Sequence, residues 1–261
     1  MTTDNPKPLI EHLIELRARL VWVVGAMLLG AIVSFCFAEA ITGFLIQPLA
    51  NAMQPGDSQR LIYTGLTEAF FTYVKVAFFA GLFITFPVLL WQIWIFVAPG
   101  LYKNERKAFL PYLVATPVLF FLGGACVYYA VIPTAWPFFM SFQTTSADTA
   151  LPIELEARIS EYLDLIMTLI FAFGLCFQMP VVLSLLARAG VITANSLAAF
   201  RKYAIIVIFI IAAILTPPDV LSQVMLAVPL IGLYEFSIFL IRWTSPKHEP
   251  PQNHKAPAKP A

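Results

Sequence analysis

Charge is scarce in this chain. Asp, Glu, Lys and Arg make up 12% of its 261 residues, against about 25% in an ordinary soluble domain. So few charges cannot cover a water-facing surface, and the 60% hydrophobic content leaves the same deficit. The composition excludes a soluble globular protein. Histidine is rarer still: His12, His248 and His254 are the only ones, and all lie outside the apolar runs. A Ser–His intramembrane protease or a zinc site of the H-E-x-x-H type needs histidine at the reacting centre, and neither can be assembled here. Cys36, Cys126 and Cys176 fall inside apolar runs without a C-x-x-C pair, which reads as buried small hydrophobes rather than a disulfide framework or a metal site. There is no glycine-rich phosphate loop and no close pair of acids within an apolar run. The sequence thus offers no catalytic residue, no cofactor and no metal site. A net charge of +1 without a clustered basic face gives no reason to expect nucleic acid.

What the chain has instead is long apolar runs. Six stand out: Leu20–Ala38, Val76–Ala98, Ala108–Ile132, Leu165–Ala187, Ala204–Leu215 and Val220–Ile241. A helix crosses about 30 Å of hydrocarbon with about 20 residues. The fifth run falls short of that, so it borrows Tyr203 and its flanks or the bilayer thins around it. The expected fold class is an all-α integral membrane protein with six transmembrane helices, spans five and six short or broken. Residues 1–243 would form a single six-span domain with spans near 20–38, 76–98, 108–132, 165–187, 203–215 and 220–241. The Pro-, Lys- and His-rich tail 244–261 is expected to be disordered. Arg17, Arg19, the first apolar run and Ala38-Glu39-Ala40 imitate a cleavable signal peptide. The run is too long for one, and Glu11 and Glu15 sit in what should be a basic leader, so it reads as a retained first span.

Lys and Arg set the orientation. With six spans, one side collects Lys7, Arg17, Arg19, Lys103, Arg106, Lys107, Arg188, Arg201, Lys202, Arg242, Lys247, Lys255 and Lys259, while the other has only Arg60, Lys75 and Arg158. Both termini are therefore expected in the cytoplasm. Residues 39–67 and 133–160 read as long outer loops, and 216–219 as a tight Pro-Pro turn. Thr67 before Glu68 and Ser160 before Glu161 look like N-caps with an acid in the first turn, which starts spans two and four upstream of their apolar runs. No internal repeat is visible, and no inverted pair of broken helices of the kind that marks many secondary transporters.

Polar residues at membrane depth are costly and hence candidates for function. Gln178 lies in the middle of span four and Glu235 in the inner half of span six. Each has two readings. Gln178 either makes an interhelical hydrogen bond, to backbone freed by Pro180, or serves a functional path. Glu235 either snorkels to the interface and pairs with Arg242 or Arg17, or joins that path. A secondary transporter of a small solute or ion is the alternative function these two would serve. At the cytoplasmic face, Leu9, Leu13, Leu16 and Leu20 form a helical stripe, with Glu15 and Arg19 placed i,i+4 on another face. Glu15 and Glu105 sit beside span ends, where a carboxylate pairs strongly with a guanidinium. A cationic peptide would meet two acidic anchors in a basic field.

Three stretches carry a family resemblance. His12–Leu20 (H-L-I-E-L-R-A-R-L) resembles an N-terminal H-L-x-E-L-R-x-R-L motif. Pro87–Glu105 (P-V-L-L-W-Q-I-W-I-F-V-A-P-G-L-Y-K-N-E) resembles the same family's span-two end and first cytoplasmic loop, and Leu215–Gln223 (L-T-P-P-D-V-L-S-Q) its last outer turn. The family is TatC, the multispanning subunit of the twin-arginine protein translocase, and the match runs from Pro8 to Arg242. The resemblance implies six spans, no enzymatic activity and residence in the bacterial inner membrane. It also implies a receptor for the twin-arginine signal peptides of folded proteins, assembled with TatA- and TatB-type single-span subunits and with other TatC copies in the lipid bilayer, and driven by the proton-motive force. By position, Glu15, Arg17, Phe96, Lys103 and Glu105 fall at the family's signal-peptide site. Pro48 matches a proline of the first outer loop and Tyr128 a tyrosine at the outer end of span three. Thr216 and Gln223 match the polar cluster that receives a partner's helix, and Asp219 belongs to the same turn. Many relatives carry Glu where this chain has Gln178. Glutamine cannot ionise, which weakens a proton relay there and leaves a hydrogen-bonding role.

Overall fold

The computed structural model describes residues 9–52, 60–97, 106–143, 156–216 and 220–244. These residues are helical apart from short connections and one isolated parallel bridge between Ile62 and Arg158. The helices are α1 (Leu9–Cys36), α2 (Ala38–Ala52), α3 (Glu68–Val97), α4 (Arg106–Cys126), α5 (Ile132–Met140), α6 (Ile159–Cys176), α7 (Met179–Arg188), α8 (Ala194–Ala199), α9 (Arg201–Leu215) and α10 (Val220–Thr244). Five stretches are long and apolar enough to cross a membrane: Leu13–Cys36, Glu68–Ile93, Pro111–Met140, Ile159–Arg188 and Ser222–Thr244. A helix satisfies most of its backbone polar groups within itself, which is what hydrocarbon demands. At 15 residues, α9 spans about 22 Å, short of the hydrocarbon thickness as its composition suggested. The sixth run departs from the expectation of a short or broken helix. α10 is one continuous helix of 25 residues with Pro229 inside it.

Two supposed outer loops contain helix. The first holds α2, separated from α1 by Phe37 alone. Its buried residues Ala38, Thr42, Leu45 and Leu49 recur at helical spacing, and Glu39 sits favourably in its first turn. Gly43 and Pro48 disguise the pattern as a breaker-rich loop. In the second, the helix does not stop at Pro133. It passes through a π-helical turn at Val127–Val131, where the Ile132 amide donates to Val127 O, and continues as α5 to Met140. The wider turn accommodates the missing proline donor without ending the helix. Ser160 also departs from expectation: Arg158 occupies the N-cap position of α6, and Ser160 lies inside the helix with its hydroxyl turned elsewhere.

Neighbouring helices run antiparallel at close range. A methyl group added at Gly81 on α3 would lie 2.4 Å from the Ala31 amide nitrogen of α1. One added at Gly123 on α4 would lie 2.7 Å from Phe173 O of α6. Small residues at these crossings let the backbones meet, the usual way helices associate in lipid, where burial of apolar surface drives little. α6 is the central element. Leu163, Ile166 and Phe173 are wholly buried and share one core with Val127, and the buried Phe120 of α4 sets its ring edge against Phe171 of α6. α1 lies at the rim against α3 and exposes Leu28, Leu29, Ile32 and Val33, a lipid-facing surface. Between α6 and α7, Pro180 removes the donor for Cys176 O. The Gln178 amide turns to Leu175 O at 2.9 Å, and the helix bends. α7 ends in a Schellman arrangement, Val191 N–H on Leu186 O at 3.0 Å, with Gly190 at φ 73.

The α1–α3 crossing yields a direct test. Gly81→Ala is expected to cost about 1–3 kcal/mol through overpacking, read as a lowered melting temperature in detergent. Gly25→Ala in α1, where a methyl meets nothing within 4 Å, leaves it unchanged. Equal effects would place the two backbones apart.

Candidate functional site

The basic end of the bundle is built where α1 passes the end of α3. Glu15 and Arg19 of α1 are ion-paired, with side chains 30% and 17% exposed, and Arg19 also donates to Gln92 O of α3 at 3.4 Å. A cation beside the last turns of α3 suits its dipole. Glu15 is thereby held at the α1–α3 junction rather than swinging in water, while Arg17 on the next face is exposed. Phe96 lies in the last turn of α3. Lys103, Glu105 and Asp219 lie outside the described residues, as does the tail beyond Thr244.

Glu235 does not pair with Arg242 or Arg17. It forms a two-pronged pair with Arg201 at the start of α9, Arg201 Nε to Oε1 at 2.7 Å and Nη2 to Oε2 at 2.7 Å. The antiparallel α9–α10 packing brings these two together, and the planar guanidinium matches a carboxylate fork. The neighbouring Tyr234 hydroxyl donates to Leu197 O of α8 at 2.8 Å. Gln178 donates to Thr116 O of α4 at 2.9 Å and to Gly174 O at 3.4 Å. Gly174 O is the carbonyl left by the bend, since the Gln178 amide has moved to Leu175 O. The interhelical reading of Gln178 therefore holds, with Thr116 O of α4 as partner, and the freed carbonyl it also meets lies two residues before the one Pro180 vacates. Gln178 and Glu235 serve different contacts, and no hydrogen bond joins them into a path among the described residues. Nor does any group of three His, Cys, Asp or Glu there have the arrangement to hold a metal ion.

At the opposite end, charge is arranged differently. Each of its three cations is paired: Arg60 with Glu156, Lys75 with Asp164 at 2.7 Å, and Arg158 with Glu68 at 3.1 Å and Glu161 at 2.9 Å. Glu68 is the hub. Its carboxylate accepts from the Thr64 amide at 2.9 Å, the Gly65 amide at 3.1 Å and the Ser160 hydroxyl, as well as from Arg158. Hydrogen bonding to Glu68 raises the Arg158 pKa above its usual value. The backbone adds to the clasp, Ile62 N–H on Ala157 O at 3.1 Å and Ile159 N–H on Ile62 O at 3.0 Å. Sequence reasoning missed this cluster because its members are far apart in the chain. The one available signal was an acid and a base, Glu68 and Arg158, each a few residues ahead of an apolar run.

The same end carries a cavity between α5, α6 and the start of α10, lined by Trp136, Ile166, Thr216, Ser222, Met225 and Leu226 among others. Thr216 follows α9 and turns its hydroxyl onto Ala212 O at 2.8 Å. Gln223 of α10 reaches across to Phe209 O of α9 at 3.0 Å. Thr216 thus faces the cavity, and Gln223 ties together the two helices beside it. Pro48 and Tyr128 are brought together as well, through the Phe44 carbonyl of α2, on which the Tyr128 hydroxyl donates at 2.8 Å. Trp136 and Tyr162 escaped the sequence reading. Trp136 lay in a supposed loop, and one tyrosine among nine carries no mark of its own.

Comparison with known proteins settles the kinship. The family model for the Sec-independent protein translocase protein TatC matches residues 11–229. The chain belongs to the TatC family. It is 50% identical to the Sec-independent protein translocase protein TatC of Magnetococcus marinus over 242 residues, covering 93% of this chain and 86% of that one. The TatC protein of Rickettsia prowazekii is 45% identical over 231 residues, covering 88% and 90%. A crystal structure of the twin-arginine translocase receptor TatC superposes with a TM-score of 0.76 at 38% identity, covering 89% of this chain and 98% of the other. The chain is accordingly a multi-pass membrane protein of a translocase family whose members act as non-enzymatic transport subunits.

Removing the hub of the paired end tests the clasp. Glu68→Gln is expected to lower the thermal unfolding midpoint in detergent, and Glu161→Gln, at a side chain 70% exposed, to leave it unmoved. A midpoint insensitive to both would mean that the clasp does not hold the two segments together.

Proposed function

We propose that this TatC-family protein is the receptor subunit of a twin-arginine translocase in a bacterial inner membrane. It has six spans, counting the short α9, and both termini in the cytoplasm. It would bind Arg-Arg signal peptides of folded precursors at the basic end, with Glu15, Arg17, Phe96, Lys103 and Glu105 at the site. It would engage TatA- and TatB-type single-span subunits, and other copies of itself, from the opposite end. Thr216 and Gln223, with Asp219 between them in sequence, would mark the partner contact. The observation that carries the reading is Glu15, a carboxylate fixed at the α1–α3 junction within a basic field.

The physical steps follow from that placement. A signal-peptide guanidinium reaching this edge exchanges water for a carboxylate at low local dielectric, where a two-pronged contact favours Arg over the point charge of Lys. Arg19 already occupies one side of Glu15, so the incoming arginine either shares the carboxylate or displaces Arg19. Glu105 supplies the second anchor, one for each of two adjacent arginines. The alternative of a solute or ion transporter has less support. Gln178 and Glu235 each have their own local partner, and Gln178 carries no charge to relay a proton.

Photocrosslinking of an Arg-Arg signal peptide to the protein in membranes tests the site. Glu15→Gln and Glu105→Gln are expected to reduce the crosslink at least about tenfold, the loss of one charge-assisted contact of about 1.5–3 kcal/mol. Glu11→Gln, or changing the peptide to Lys-Lys with the site intact, separates the cases. A site predicts that Glu11→Gln is silent and Lys-Lys binds weakly. Uniform losses at all three glutamates, with Lys-Lys bound as well as Arg-Arg, would mean a diffuse electrostatic surface instead.

A further inference from the structure

Pro48 lies inside α2 and carries no N–H, so the Phe44 carbonyl one turn earlier loses the donor a regular helix would supply. Tyr128 supplies one from another helix. Its hydroxyl donates to Phe44 O at 2.8 Å, and its ring stacks on the Phe44 ring with centroids 4.4 Å apart. The next carbonyl, Leu45 O, accepts from the Tyr162 hydroxyl of α6 at 2.9 Å. Tyr128 is aimed by the π-helical turn, whose extra residue leaves Tyr128 8% exposed and its neighbour Tyr129 71% exposed. Tyr162 then stacks on Trp136 of α5 at 5.3 Å, and Trp136 forms a wall of the cavity that also holds Thr216 and Ser222. A continuous series of contacts therefore runs from the proline-broken backbone of α2 to the cavity wall.

We propose that Tyr128 and Tyr162 are positioning residues for that cavity: Tyr128 stands in for the backbone donor that Pro48 removes, and the two hydroxyls fix α2 against α5 and α6 so that the Trp136 wall keeps the shape on which a partner's single apolar helix docks. Neither tyrosine needs to touch the partner. Pro48 and Tyr128 act as one unit, since the proline creates the orphaned carbonyl and the tyrosine satisfies it. The docking half of this proposal rests on the partner contact proposed above, whereas the coupling of Pro48 to Tyr128 does not.

The experiment uses the full chain coexpressed with its single-span partner subunits, bearing a photocrosslinking residue at Met225 in the cavity. It compares wild type, Tyr128→Phe, Pro48→Ala and the double variant, with Arg-Arg peptide binding measured in parallel. Tyr128→Phe is expected to cut the partner crosslink about fivefold, the loss of one buried hydrogen bond, with peptide binding unchanged. Pro48→Ala returns an N–H to Phe44 O, so in that background Tyr128→Phe is expected to fall within about twofold of its parent, on the same principle. A Tyr128→Phe loss of equal size in both backgrounds would overturn the coupling. So would a Tyr128→Phe protein that crosslinks like wild type. If wild type itself gives no crosslink from Met225, the partner-site reading fails instead. The coupling is then decided by melting temperatures of the same four proteins in detergent, where non-additive shifts support it and additive shifts overturn it.

Discussion

A polar group stranded in hydrocarbon has no water to turn to, and this molecule is organised around that constraint. Its helices are interrupted or bent at Pro48, at the π-helical turn before Pro133 and at Gln178 before Pro180. At the first and third of these a side chain from the same or a neighbouring helix meets a carbonyl that the break released: Tyr128 on Phe44 O and Gln178 on Gly174 O. Elsewhere Tyr162, Gln223 and Tyr234 donate to main-chain oxygens on other helices. Polar side chains at depth here serve the backbone first. Since most of these bonds join two elements, the repairs also hold the bundle together, alongside the close glycine crossings of α1 with α3 and α4 with α6.

The same constraint sorts the charges. At one end every cation has an acid across from it on another part of the chain, and the Glu68–Arg158 clasp draws two distant segments together. At the other end, cations outnumber acids. The paired end, where acids outnumber cations, also carries the cavity. The basic end presents a field in which the few carboxylates are conspicuous, Glu15 above all. This division suits a protein that meets a cationic peptide at one face and an apolar partner helix near the other.

Much of this was legible in the sequence where periodicity and charge act locally. The apolar runs mark the long helices, and the deficit of length in α9 is plain from counting. The Glu15–Arg19 pair follows from i,i+4 spacing alone. What escaped were features that depend on a distant partner. α2 is hidden because Gly43 and Pro48 look like breakers until Tyr128 and Tyr162 are seen to satisfy its carbonyls. The helix through Pro133 is hidden because a π-helical turn, invisible to periodicity, absorbs the proline. Ser160 looked like a cap for its own helix and instead serves Glu68, far away in the chain. Glu235 was matched to bases nearby in sequence or at the N-terminus, whereas antiparallel packing puts Arg201 beside it. Among the site residues, the sequence motifs named Thr216 and Gln223 but not Trp136, which lines the cavity with Thr216.

The central claim is that the basic end faces the cytoplasm, and sidedness can be measured directly. In a protein whose Cys36, Cys126 and Cys176 are replaced by Ser, a single cysteine is placed either at Leu66, fully exposed at the paired end, or at Asn195, exposed between α7 and α9. An impermeant thiol reagent is then applied to cells with the inner membrane intact and the outer membrane permeabilised. Leu66→Cys is expected to label at once, and Asn195→Cys only after the inner membrane is opened. Labelling of Asn195→Cys in sealed cells, with Leu66→Cys protected, would put the basic end on the outer side and contradict the account.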